Sequence, residues 1–71
     1  MKIGEAVDNL WLGVRVARKG WHGKDMSLAM QIPDAKSKMT EPYVYLNIGQ
    51  KKIPWNCSQA DLLADDWMIV G

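Results

Sequence analysis

Apolar residues recur at Ile3, Ala6, Val7, Leu10 and Trp11, the i, i+3, i+4, i+7, i+8 spacing of one helical face. Glu5 and Asp8 lie toward the start, where the helix dipole favours acids, and Gly13 follows as a stop. A short amphipathic helix is predicted over residues 3–12, with Trp11 in the core or an interface. The period then changes to two. Residues 14–18 read as a strand with Val14 and Val16 on one face and Arg15 and Ala17 on the other.

Residues 20–23 break that strand in a turn. Residues 26–32 resume the alternation, with Met26, Leu28, Met30 and Ile32 inward, and residues 33–42 form a polar loop. A third strand is predicted over residues 43–48, with Tyr43 and Tyr45 on one face and available to an interface. Gly49 and Gln50 turn into a fourth at 51–55. Pro54 cannot donate to a ladder, which makes that strand an edge. Ser58 is a good N-cap with Asp61 three residues on, opening a helix over residues 59–65 that is expected to bury Leu62 and Leu63. Residues 67–70 return as a last strand, with Trp67 in the core. The class is α+β: an N-terminal amphipathic helix, a small antiparallel sheet of four to five strands and a short helix near the C-terminus, in one domain spanning residues 1–71.

Size changes the picture. Ordering 71 residues costs about 1.5 kcal/mol each, about 100 kcal/mol in all, near the lower limit for a self-sufficient core. Cys57 is the single cysteine, so no intrachain disulfide can help, and His22 with Cys57 does not suggest a metal site. Four Trp and five Met supply apolar surface for self-association instead. A homo-oligomer is expected. A formal charge of +1 argues against a binder of polymeric nucleic acid, and no apolar run approaches the ~20 residues of a membrane span. With no leader pattern either, the expected location is cytoplasmic.

No catalytic constellation emerges. His22 sits in a Gly-flanked turn, Ser58 is explained by its capping role, and Cys57 is expected to be a small buried residue although its place before a helix start can lower a thiol pKa. Asp65 and Asp66 are neighbours whose side chains diverge. Binding chemistry is better represented. Arg18, Lys19 and Lys24 suit phosphates or a solvated basic turn, and the helix starting at Ser58 offers N–H groups to an anion. Trp21 and Trp55 fit no apolar stripe. They either stack on a base, a contact worth about 1–3 kcal/mol, or plug the core.

Three runs together carry a resemblance: IGEA at residues 3–6, VARKGWHGK at 16–24 and PWNCSQADLLADDW at 54–67. They are similar to the second Thoeris anti-defence family of phage proteins over almost the whole chain, with a shorter middle, residues 33–50, than typical members have. The resemblance implies a non-catalytic sponge. Such a protein holds cyclic ADP-ribose isomers, and in some relatives the cyclic dinucleotides of CBASS immunity, without cleaving them, so that the effector stays inactive. It implies a homotetramer with ligand pockets between subunits, no cofactor, and action in the cytoplasm of an infected bacterium. By position in the motifs, Trp21 would stack on the ligand, with Trp55, Asn56, Ser58 and Asp61 contributing. A cyclic ADP-ribose isomer offers an adenine to stack, ribose hydroxyls for Asp or Asn, and a pyrophosphate for Arg18, Lys19 or Lys24. The competing expectation is a small phage structural or protein-interaction module, whose tryptophans would pack in the core and leave no nucleotide-sized pocket.

Overall fold

The period-3.6 segment forms α1, Ile3–Trp11, in the computed structural model, which describes residues 1–21 and 25–70. Its C-terminus is closed as the sequence predicts. Gly13 takes φ +83°, its N–H donates to the Leu10 carbonyl at 3.0 Å, and the Val14 N–H donates to the Asn9 carbonyl at 3.0 Å. This pair of bonds around a left-handed residue is a Schellman cap, which a side chain at Gly13 would strain. Gly13→Ala is accordingly expected to lower stability by about 1 kcal/mol, read as a lower urea midpoint at unchanged slope.

Five strands follow: β1 (Val16–Arg18), β2 (Met26–Gln31), β3 (Tyr43–Ile48), β4 (Lys51–Pro54) and, after the short helix α2 (Gln59–Leu63), β5 (Trp67–Ile69). They form one antiparallel sheet in the order β4-β3-β2-β1-β5, so the proline-bearing β4 is an edge as expected. The β3–β4 hairpin pairs Ile48 with Lys51, leaving a two-residue loop whose first position, Gly49, has φ +59°. The fold is α+β.

Helix α1 lies on one face of the sheet. Ala6 and Leu10 from the helix meet Val16, Leu28 and Trp67 from the central and β5 strands, all at most 2% exposed. The register explains the set, since Val16 pairs with Leu28 and with Ile69, and Arg18 pairs with Trp67, placing alternate residues under the helix. The main-chain start is tied in as well: the Met1 amine donates to the Trp67 carbonyl at 2.8 Å, and the Trp67 N–H donates to the Met1 carbonyl at 3.1 Å. No helix among the described residues is long and apolar enough to cross a membrane.

Four expectations are corrected. Of the two places expected for Trp11, core or interface, the core is corrected: the residue is 55% exposed on the single chain, because the buried stripe of α1 runs through Ala6 and Leu10 and Trp11 lies one position beyond it. Leu62 and Leu63 are exposed, and the buried residue of α2 is Asp61. Ile32 is exposed because β2 ends at Gln31. Cys57 is exposed, in the segment leading into α2. Trp67 is in the core as expected.

Candidate functional site

On the face of the sheet opposite α1, alternate residues of four strands leave a cavity of about 680 Å³. Its floor is made of small or narrow side chains, Ala17 and Ser27, with Asn47 opposite Ser27 and Met68 opposite Ala17 in the ladder. Arg15 and Val70, flanking the adjacent strands β1 and β5, stand at one end, and Asp25, Met26, Gly49 and Gln50 stand at the other. Arg18, Lys19 and Trp21 line the cavity at that same end, since the β1–β2 register sets Arg18 and Lys19 beside Met26 and Asp25. The space is within the ~300–1,000 Å³ of small-molecule sites.

Trp21 forms part of the wall and is half-buried. Its ring meets Trp67 edge to face, with centroids 5.4 Å apart and planes at 78°, and Trp55 meets Trp67 in the same way at 6.0 Å and 87°. The core indole thus carries a half-buried indole on each of two sides. Its own Nε1–H donates to the Asp61 carbonyl at 3.0 Å. Both open readings of the exposed tryptophans therefore find something in the structure: Trp21 and Trp55 pack against the core, and Trp21 also lines the cavity.

Behind the wall stands an ion triad. Arg18 Nη1 donates to Asp61 Oδ1 at 2.9 Å, and Arg18 Nε donates to Asp66 Oδ1 at 2.8 Å. The two carboxylates hold the guanidinium pKa above its ordinary value, Asp66 most strongly. Hydrogen bonding from Arg18 holds Asp66 below the usual carboxylate range; burial works against this and the Gly20 N–H assists. Burial pushes Asp61 up, but hydrogen bonds from Arg18, Ser58 and Trp21 outweigh it and leave Asp61 lowered. Ser58 caps α2, accepting from the Asp61 N–H at 3.1 Å.

The structure thus brings Arg18, Lys19 and Trp21 to one cavity and joins Asp61 to them through Arg18. Trp55, Asn56 and Ser58 belong to the segment before α2 and do not line that cavity. Lys24 and His22 lie outside the described residues. Although Cys57 is exposed, partial desolvation and the nearby Asp61 push its thiol pKa up, the reverse of an activated helix-start thiol. Sequence reasoning passed over Arg15, Asp25, Ser27, Asn47, Gln50 and Met68. The period-two pattern does put Arg15 and Ala17 on the outer face, but it does not reveal which strands flank them.

A second, shallow groove of about 190 Å³ lies farther along the sheet, lined by Gln31, Tyr43, Tyr45, Lys52, Ile53 and Pro54. The two tyrosine rings are 6.3 Å apart and the Lys52 ammonium stands 5.7 Å from the centroid of Tyr45. No group of three or more His, Cys, Asp or Glu side chains among the described residues is placed to hold a metal ion.

Comparison with known proteins agrees over the length of the chain. The family profile described as the Thoeris anti-defense 2-like domain matches residues 1–70. The chain is 36% identical over 84 residues to the protein named Thoeris anti-defense 2 of Bacillus phage SP01, covering 99% of this chain and 94% of that protein. The aligned stretch is longer than this 71-residue chain, so the phage SP01 protein has residues with no counterpart here.

Proposed function

The chain belongs to the Thoeris anti-defense 2-like family, and from that footing we propose that it fulfils an anti-defence role by sequestering a cyclic nucleotide immune signal. The observation that carries this reading is the 680 Å³ cavity with an indole in its wall and three cationic side chains, Arg15, Arg18 and Lys19, around it. Trp21 offers a stacking face for adenine, and Lys19 and Arg15 offer charge to a pyrophosphate. Arg18, already paired with Asp61 and Asp66, offers hydrogen bonds rather than net charge, and Asn47, Gln50 and Asp25 offer hydrogen bonds to a base edge or a ribose. Trp55 supports the wall through Trp67, and Ser58 and Asp61 through Arg18; Asn56 would reach the ligand from a neighbouring copy, and Lys24 is proposed as a further cationic contact.

The ligands proposed are cyclic ADP-ribose isomers and, as a second group, CBASS cyclic dinucleotides. They are held intact, so the protein is a binder and not an enzyme, it needs no cofactor, and it acts in the cytoplasm of the infected bacterium. Self-association into a homotetramer with pockets completed between subunits fits the apolar surface of one chain: Leu12 and Leu63 are each 78% exposed, and Trp11 and Ile69 more than half. A neighbouring copy would also close a cavity that a single chain leaves open. A protein-interaction module remains the second reading, favoured by the packing of Trp21 and Trp55 on Trp67. The cavity weighs against it.

The test mixes the purified protein with a panel of cyclic ADP-ribose isomers and cyclic dinucleotides, filters, and heat-denatures what the filter retains. Sequestration predicts intact ligand released by heating. Ligand appearing only in the filtrate would overturn the reading, and recovery of a cleaved product would replace it with an enzyme.

A further inference from the structure

Asp66 does not line the cavity, yet it holds the turn that carries Trp21. Its Oδ1 accepts from Arg18 Nε at 2.8 Å and its Oδ2 from the Gly20 N–H at 3.0 Å, while its main-chain carbonyl accepts from the Lys19 N–H at 3.2 Å. One aspartate therefore fastens three consecutive residues, 18–20, to the start of β5. The Trp21 N–H then closes the turn on the Arg18 carbonyl at 3.1 Å. The fit is tight: a Cβ added at Gly20 would lie 3.2 Å from Asp66 Oδ2.

The turn has no strand of its own to order it, since β1 ends at Arg18. Edge-to-face contact with Trp67 fixes one side of the Trp21 ring, but it does not fix the main chain from which the ring projects. Two of the three bonds from Asp66 are made by its carboxylate, and bonds to a charged acceptor are about twice as strong as neutral ones. A stacking wall is useful to a slow-release binder only when it is in place before the ligand arrives. Otherwise affinity falls by the fraction of molecules that hold the competent arrangement.

We propose that Asp66 is a positioning residue of the ligand site. It touches no ligand, and by clamping residues 18–20 it presents Trp21 to the cavity in a fixed orientation. This rests on the sequestration reading above and names the device that makes retention slow.

The experiment compares wild type, Asp66→Ala and Asp66→Asn as full chains in two measurements. The first is the release rate of the cyclic ADP-ribose isomers used in the retention panel. The second is amide hydrogen exchange without ligand. For Asp66→Ala, release is expected about tenfold faster. The Gly20 and Trp21 amides should exchange about tenfold faster too, with the Leu28 amide in the core within about twofold of wild type. Asp66→Asn keeps one oxygen for the Gly20 N–H and should fall between the two.

Three results would overturn the proposal. Unchanged release from Asp66→Ala, with ligand still retained by wild type, would overturn it alone. Equal acceleration of the Leu28 amide would reduce Asp66 to general stability. Failure of wild type to retain any ligand would remove the sequestration reading, and this one with it.

Discussion

Trp67→Ala is expected to leave little folded protein at 25 °C. The side chain is 2% exposed and lies where α1, β1 and β5 meet, with Trp21 and Trp55 each set edge-on against it. Truncating a buried aromatic costs about 3–5 kcal/mol. A 71-residue domain has about 4–11 kcal/mol in total. The substitution also leaves the Asp61 carbonyl without the Nε1–H donor at 3.0 Å and removes the ring that both flanking indoles contact. Far-UV circular dichroism with a urea titration reads the outcome. Trp67→Phe, which keeps an aromatic ring but loses the N–H and part of the indole volume, should cost less than the alanine variant, about 1–3 kcal/mol, and remain folded. If Trp67→Ala kept a urea midpoint within about 0.5 M of wild type, the three-indole cluster would not be what holds the core together.

That cluster marks the boundary of what the sequence makes legible. The helix over residues 3–12, the strand at 43–48, the edge role of Pro54 and the Ser58 cap are local patterns, and local physics reproduces them with small shifts at their ends. The core position of Trp67 was also readable, from its place at the head of an apolar strand. What brings Trp21 and Trp55 to it was not. Their meeting depends on β1 pairing with β5 and on the order β4-β3-β2-β1-β5, both products of long-range pairing.

The same cause inverts α2. Leu62 and Leu63 look like its buried side until Arg18, 43 residues earlier, is found holding Asp61 inward. An ionised carboxylate is expensive to bury without a partner. The partner decides which face of this short helix turns in. The cavity has a similar origin. Ala17, Ser27, Asn47 and Met68 come from four separate strands, and only the register sets them side by side.

Trp21→Ala separates ligand binding from folding. In the proposed site the indole supplies the stacking surface, and such a contact is worth about 1–3 kcal/mol, or about 5- to 150-fold in release rate. A ligand held through filtration by slow release would then pass into the filtrate. Folding should survive, because Trp21 is only half-buried, Trp67 keeps its contact with Trp55, and Asp61, although it loses the hydrogen bond from the Trp21 indole, keeps those from Arg18 and Ser58. Oligomer size by chromatography and the urea midpoint serve as controls. Trp21→Phe, which restores a stacking face, should recover part of the retention. The aromatic face would then be the agent, and not the volume of the side chain. Normal retention by Trp21→Ala, with fold and assembly intact, would remove Trp21 from the site. The cationic and amide groups around the cavity would be left to hold the ligand without an aromatic wall.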